Sequence, residues 1–180
     1  DILDGGAGID RADYTTSTVG VTVNLTNGTA SDGDVLSGIE NLYGSVHNDV
    51  LIGSALANLF YGNSGNDQLF GLGGNDKLEG MIGDDALFGG DGNDVLGGGD
   101  GNDGLFGEAG NDSIYGGNGN DYIEAGAGND VISGDTGDDT MIGGDGNDFL
   151  VLGAGNDGLT LGAGDDRVRF DYGNGADTIF

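Results

Sequence analysis

The chain has 180 residues, of which 43 are glycine and none is proline or cysteine, and its formal net charge is −28. This charge excludes the basic surfaces that nucleic acids and anionic membranes require, and it makes small cations the expected partners. Without cysteine the chain has neither disulfides nor thiolate metal sites, and without a run of about 18 apolar residues it has no membrane span.

The first region, residues 1–13, contains one complete nine-residue step. Asp1 and Asp10 are nine residues apart, and the segment Gly5-Gly6-Ala7-Gly8 lies between them. We interpret residues 1–13 as the end of a preceding repeat array.

Residues 14–43 break this period. Apolar side chains alternate with small or polar ones at Val19, Val21, Val23 and Leu25. The alternation predicts a half-buried strand, and Asn27-Gly28 predicts a turn after it. A second apolar group follows at Leu36, Ile39 and Leu42. We therefore expect an inserted strand-turn segment that interrupts the repeats and covers their stack from the side.

From residue 44 to residue 169 the nine-residue step is continuous. Its first two stops, Asp49 and Asn58, belong to degenerate copies, because His47 and Leu56 stand where the later copies have glycine. The next twelve stops are all aspartate: Asp67, Asp76, Asp85, Asp94, Asp103, Asp112, Asp121, Asp130, Asp139, Asp148, Asp157 and Asp166. An apolar residue follows each stop by two positions, which predicts a minimal strand with an inward-facing centre.

The repeat has the form G-G-x-G-x-D-x-U-x, where U is apolar. A clean copy is Gly98-Gly99-Asp100-Gly101-Asn102-Asp103-Gly104-Leu105-Phe106. It resembles the calcium-binding nonapeptide of the RTX (repeats-in-toxin) family of bacterial secreted proteins. The resemblance covers roughly two-thirds of the chain and implies an all-β fold, a parallel β-roll in which two nonapeptides form one coil.

In such a roll the aspartates form two rows, because equivalent turns are eighteen residues apart. Neighbouring carboxylates roughly 5 Å apart repel by about 3 kcal/mol at an effective dielectric constant near 20. A divalent cation shared by two aspartates and by carbonyl groups of the glycine-rich turns removes this repulsion. Oxygen ligands in a flexible arrangement favour Ca²⁺ over Mg²⁺ and Zn²⁺. The five gaps in each row predict about ten ions in total.

The turn glycines are the expected carbonyl ligands. They are Gly65, Gly74, Gly83, Gly90, Gly92, Gly99, Gly101, Gly110, Gly117, Gly119, Gly126, Gly128, Gly137, Gly144, Gly146, Gly155 and Gly164. Sites that involve Asp49 or Asn58 are expected to be weak. Residues 170–180 are interpreted as a slipped terminal repeat, because Asp177 lies eleven residues after Asp166.

These observations predict a calcium-binding structural module rather than an enzyme, because no nucleophile elbow, zinc-protease motif or phosphate loop occurs. The resemblance implies a secreted or cell-surface protein, exported by a type I secretion channel, that folds on calcium outside the cell and orders neighbouring domains of a larger chain. Two alternatives stay open: the non-catalytic module of a secreted hydrolase or epimerase, and an adhesin or surface-layer segment.

A row of phenylalanines is not explained by calcium. Phe70, Phe88 and Phe106 occupy the outward-facing ninth position of alternate repeats. They predict either stacking between strands, which stiffens the sheet, or a docking face for self-association.

Overall fold

The computed structural model describes residues 1–170 and 175–180. They contain strands and turns but no helix. The strands form two sheets that face each other across a single apolar core. Pairing is parallel throughout the repeats, so the all-β, parallel β-roll predicted from the sequence is confirmed.

The first sheet has twelve strands. They are β1 (Ile2–Asp4), β3 (Thr22–Asn24), β4 (Thr29–Ala30), β5 (Val35–Ser37), β7 (Val50–Ser54), β9 (Gln68–Gly73), β11 (Ala86–Asp91), β13 (Gly104–Ala109), β15 (Tyr122–Ala127), β17 (Thr140–Asp145), β19 (Gly158–Ala163) and β21 (Thr178–Ile179).

The second sheet has nine strands. They are β2 (Arg11–Asp13), β6 (Asn41–Tyr43), β8 (Leu59–Ser64), β10 (Lys77–Ile82), β12 (Val95–Asp100), β14 (Ser113–Asn118), β16 (Val131–Thr136), β18 (Phe149–Val151) and β20 (Arg167–Arg169).

The core is a stack of the apolar residues that follow the aspartates by two positions. In the first sheet Leu87 pairs with Leu105, and in the second Leu78 pairs with Leu96, so each register step is eighteen residues. From Leu51 to Leu159 every such side chain has no solvent exposure. Full burial of a side chain of this size contributes about 1.5–3 kcal/mol, and a single coil has no partner surface to bury it.

The strands are longer than the predicted triplet. Most span six residues, because each continues through the first three positions of the next repeat. The pairing omits the first of these positions: Phe106 pairs with Glu124 and Glu108 with Gly126, but no pair joins Gly107 to Ala125. The prediction of three-residue strands was wrong because glycine-rich residues were assigned to the turn alone.

The inserted segment contributes β3, β4 and β5 to the first sheet and β6 to the second, and it does not cover the stack from the side. Strand β3 pairs in parallel with β7, forms an antiparallel hairpin with β4, and leads through β5 back to β1. Val21 and Val23 are buried as predicted, whereas Val19 is 65% exposed. The prediction of lateral cover was wrong because Val23 and Leu36 enter the same core column as the repeats.

The terminal repeat stays in register with the first sheet. Strand β21 pairs with β19, and the backbone N–H of Asp157 donates to Asp177 Oδ1 at 3.1 Å. Asp177 therefore continues the row of Asp157, and it is not the next neighbour of Asp166. Gly173 and Asn174, assigned to this repeat from the sequence, lie outside the described residues.

The three phenylalanines form a stacked ladder on the outer face of the first sheet. Ring centroids are 4.9 Å apart for Phe70 and Phe88 and 4.8 Å apart for Phe88 and Phe106, and the rings are parallel within 6°. Each side chain is half-buried. The stacking expected from the sequence is confirmed, and the docking role stays a prediction.

Candidate metal centre

The twelve repeat aspartates form the two predicted rows, one before the strands of each sheet. Up to Asp148, the backbone N–H of each row aspartate donates to Oδ1 of the aspartate eighteen residues later; the bond from Asp85 to Asp103 is 2.8 Å long. Ten such bonds, 2.7–3.0 Å long, connect the twelve residues. One carboxylate oxygen of each row member is thus fixed by the neighbouring coil.

The second carboxylate oxygen, Oδ2, is the unusual atom of each site. In eleven of the twelve aspartates it is buried and accepts no hydrogen bond. These residues are Asp67, Asp76, Asp85, Asp94, Asp103, Asp112, Asp121, Asp130, Asp139, Asp148 and Asp157. Asp166, the last member of its row, is half-buried. A buried charged oxygen without a partner is costly, so each of these atoms points to a missing cation.

Basic side chains do not neutralise these rows in the described residues. The ion pairs found there involve Asp34, Asp13 and Glu79, none of which belongs to a row. Nor do three or more acidic or histidine side chains gather at one point in this part of the chain. A cation in the rows would therefore need backbone oxygens in addition to two carboxylates.

Burial raises the pKa of the eleven row aspartates from Asp67 to Asp157. It raises the pKa to about 7 for Asp85, Asp112 and Asp139 and to about 6 for Asp67, Asp76 and Asp103. The backbone N–H bond opposes this shift, and neighbouring carboxylates add to it. Without a cation the rows thus favour protons, which shows that the folded site disfavours bare negative charge.

The seventeen glycines expected as carbonyl ligands all have φ between 106° and 151°; the twelve at the fourth repeat position lie in turns, and the five at the second lie near the ends of strands. Twelve of them occupy the fourth repeat position, where an added methyl group would collide with the backbone of the equivalent residue one coil earlier. In ten of the twelve the first atom met is the carbonyl oxygen of a glycine, as at Gly83 with Gly65. The fourth-position carbonyls therefore point along the stack from one turn towards the next. This arrangement suits carbonyl ligands between coils.

The second repeat position accepts residues other than glycine, whereas the fourth is glycine in every array repeat from Gly65 to Gly164. Five non-glycine residues adopt positive φ there, from 66° at Asp135 to 83° at Met81. The others are Asn63, Leu72 and Glu108. A left-handed conformation costs about 1–2 kcal/mol for an L-residue, so these turns carry local strain. Their backbone carbonyls remain available whichever side chain is present.

The first repeat position also borders the unpartnered oxygens, and the sequence analysis missed it. A methyl group added at Gly80 would collide with Asp85 Oδ2 and also approach the carbonyl oxygen of Gly98. Two oxygen atoms thus lie close to one glycine. The signal was present in the sequence, because the first position is usually glycine, but its reason requires the packing of one coil on the next.

Asparagine at the fifth repeat position has a structural role that was also missed. The backbone N–H of Asn111 donates to Asn93 Oδ1 at 2.7 Å, and the same bond joins Asn129 to Asn111. The exposed side chains form a ladder along each row of turns. This ladder connects the coils in the direction opposite to the aspartate bonds, so both edges of the turn are held.

The two degenerate repeats satisfy their own side chains. Asp49 Oδ2 accepts a 2.5 Å hydrogen bond from the backbone N–H of Ser45, and its Oδ1 accepts bonds from Val21 N–H and Ser45 Oγ. Asn58 Oδ1 accepts from Ser54 N–H, and its Nδ2 donates to the carbonyl of Glu40. In these two repeats, protein groups provide hydrogen-bond partners for the side chains of Asp49 and Asn58, in the place where we expect a cation in the rows.

Comparison with protein families identifies the repeat. The family model for the RTX calcium-binding nonapeptide repeat matches six segments: 35–69, 43–78, 61–96, 70–105, 97–132 and 133–168. Together they cover about three quarters of the chain. The chain belongs to the RTX calcium-binding repeat family. A comparison with curated proteins gave no match.

Family membership and geometry agree on the ligand. RTX repeats bind Ca²⁺, and this RTX chain offers the donors that Ca²⁺ prefers, which are carboxylate and carbonyl oxygens in flexible turns. The RTX β-roll is a structural calcium-binding module. No helix of the described residues has the length and apolarity needed to cross a membrane.

Proposed function

We propose that this chain is a calcium-responsive structural module whose folding is driven by calcium binding between successive coils. The observation that carries the proposal is the set of eleven buried Oδ2 atoms that have no partner. Each atom lies in a row whose members are one coil apart, so every cation would be shared by two coils. Calcium binding and coil stacking then become one reaction.

The ligands would be the twelve row aspartates and the carbonyl groups of the turn glycines. Each of the ten neighbouring aspartate pairs that share a backbone bond, such as Asp85 and Asp103, would hold one ion. About ten divalent ions would balance most of the formal charge of −28. Oxygen donors held by flexible glycine turns favour Ca²⁺ over Mg²⁺, which requires a small octahedral site and loses water reluctantly.

The role is structural rather than catalytic. The same aspartate environment recurs at every coil, whereas a catalytic carboxylate pair occupies one cleft. Folding on calcium would keep the chain extended in a calcium-poor cytosol and compact outside, which fits export by a type I channel. Secretion and the ordering of neighbouring domains are proposed from family membership.

Circular dichroism and small-angle scattering in calcium and in chelator test this function. In millimolar Ca²⁺ we expect a compact, β-rich chain, and in excess chelator at neutral pH an extended one, because about thirty carboxylates oppose a thin core. Mg²⁺ at the same concentration is the control and should fail to fold the chain. A compact, β-rich chain in excess chelator would sink the proposal.

A further inference from the structure

Asp10 and Glu40, which precede two paired strands of the second sheet, are joined in the same way as neighbouring aspartates of the rows. Asp10 precedes β2 and Glu40 precedes β6, and these two strands pair directly. The backbone N–H of Asn41 donates to the Asp10 carbonyl at 3.0 Å, and the N–H of Asp10 donates to Glu40 Oε2 at 3.0 Å. Both bonds repeat those between array aspartates, although thirty residues separate Asp10 from Glu40.

The oxygen atoms around this junction also match an array site. Asp10 Oδ2 is a buried atom without a hydrogen-bond partner, as in the rows. A methyl group added at Gly5 would collide with the carbonyl oxygen of Gly38 and with the Asp10 side chain, which mirrors the first repeat position. Gly8 has φ of 143°, within the range of the fourth-position glycines. The turn from Gly5 to Asp10 thus has the same arrangement of glycines and aspartate as one turn of the rows.

The ion pairs recorded among residues 1–170 and 175–180 go to Asp34, Asp13 and Glu79 and do not include Asp10 or Glu40. Arg11, the basic residue next in sequence, instead pairs with Asp13 at 3.1 Å and lies 4.3 Å from the centre of the Tyr43 ring. On the other side of Glu40, the Asn58 amide bonds to the Glu40 carbonyl. Asn58 adds no charge and fills the next gap, so this junction is separated from the main rows.

We propose that Asp10 and Glu40 form an additional, isolated Ca²⁺ site, completed by carbonyl oxygens of the Gly5–Gly8 turn and of Gly38. The inference rests on the proposed calcium function and extends it to a junction whose first member, Asp10, lies before the segments that match the family, while Glu40 lies within the segment 35–69. Glu40 stands where the array has aspartate, eighteen residues before Asn58. The site would fasten the inserted segment to the roll.

Native mass spectrometry of the full chain, with Ca²⁺ as the probe, counts the ions and tests the site. Glu40→Gln and Asp10→Asn should each bind one ion fewer than the unmodified chain, and the calcium midpoint for folding of residues 62–169 should not change. Asp4→Asn is the matched control, because Asp4 is an exposed acidic residue on β1 whose Oδ1 accepts only from Ser37 Oγ at 2.9 Å. It should bind as many ions as the unmodified chain.

Hydrogen exchange on the same variants separates a metal site from a purely structural contact. At saturating Ca²⁺, amides in β2 and β6 should lose protection in Glu40→Gln together with the lost ion. Lost protection with an unchanged ion count would overturn the inference, as would an unchanged count without any effect. If the unmodified chain bound no Ca²⁺ at all, the proposed function itself would fail, which is a distinct result.

Discussion

The regular array, residues 62–169, and the N-terminal part, residues 1–61, differ in what satisfies the polar side chains that lie between coils. Both place polar side chains directly before strands of the roll, such as Asp49 before β7 and Asp67 before β9. In the array the second oxygen of the aspartate is buried without a partner, whereas Asp49 and Asn58 bond to Ser45, Ser54 and Glu40. We therefore expect the array to need an external cation for stability, whereas these two N-terminal repeats should not need one. One coil of the roll is not equivalent to another, although the core beneath them is continuous.

The difference between the two regions is tested most directly by removing one carboxylate from each of them. Asp112→Asn removes a ligand from two gaps, because Asp112 is bonded to both Asp94 and Asp130. We expect two sites to weaken, with a several-fold higher calcium midpoint and lower cooperativity, since each coil is supported only by its neighbours.

Asp49→Asn is the matched variant in the N-terminal part. It should lower stability by about 1–3 kcal/mol, because Ser45 and Val21 lose a charged acceptor, but it should not change the number of bound ions. Calcium titration followed by circular dichroism, with ion counting, checks both variants. Equal loss of calcium in the two would contradict the difference between the regions.

Acid should partly replace calcium in the array. The folded-state pKa of Asp85, Asp112 and Asp139 is raised to about 7, above the ordinary value of 3.8. Such a group contributes stability that is fully present below its unfolded pKa and is lost as pH rises through the folded pKa. In chelator, the β signal should therefore increase as pH falls from about 8 to about 5.

The same protons compete with the cation. When calcium is present, lowering the pH over this range should weaken its binding. A metal-free chain with the same circular dichroism spectrum at both pH values would argue against buried, proton-binding rows.

The phenylalanine ladder tests whether apolar contacts rather than cations hold the array. Changing Phe70, Phe88 and Phe106 together to serine should remove self-association, which we propose for this face, and leave calcium-induced folding in place. Each lost stacking contact is worth about 0.5–1.5 kcal/mol. Tyr115→Ser, an exposed residue on the second sheet, is the control for sedimentation velocity. Loss of folding in the triple variant would make the ladder intrinsic to the roll.

The smallest expected effect concerns the strained second position. Leu72 adopts φ of 76° and is 46% exposed. Leu72→Gly should raise the free energy of unfolding in calcium by roughly 0.5–1 kcal/mol, because relief of left-handed strain exceeds the entropic cost of glycine. Leu56→Gly, at an exposed leucine without positive φ, should give no gain. Denaturant titration of both variants provides the comparison.

The nine-residue period of the sequence predicted the features that depend on register. It did not predict the features that depend on how one coil packs on the next. The resemblance to the RTX repeat implied the parallel roll, and within that roll the spacings of nine and eighteen residues set the register of the core stack from Leu51 to Leu159 and of the two aspartate rows. Strand length was wrong, since glycines at the first position continue the strand while they leave room for Asp Oδ2.

The nine-residue period also could not predict the path of the inserted segment. Its hydrophobic alternation predicted a strand but not its partner, and only the pairing of β3 with β7 shows that it continues the sheet. Likewise, Asp10 and Glu40 are thirty residues apart, so no fixed spacing connects them. The ion positions themselves are still a prediction from donor chemistry.

The central claim is that cations occupy the gaps whose oxygens the protein leaves unpartnered. Anomalous diffraction from crystals of the calcium-bound chain locates every ion directly. The account predicts Ca²⁺ in each gap of the two rows, from Asp67 to Asp157 and from Asp76 to Asp166, and none beside Asn58 or between Asp49 and Asp67. Empty gaps within the rows, or calcium bound at Asp49 as firmly as at Asp103, would contradict it.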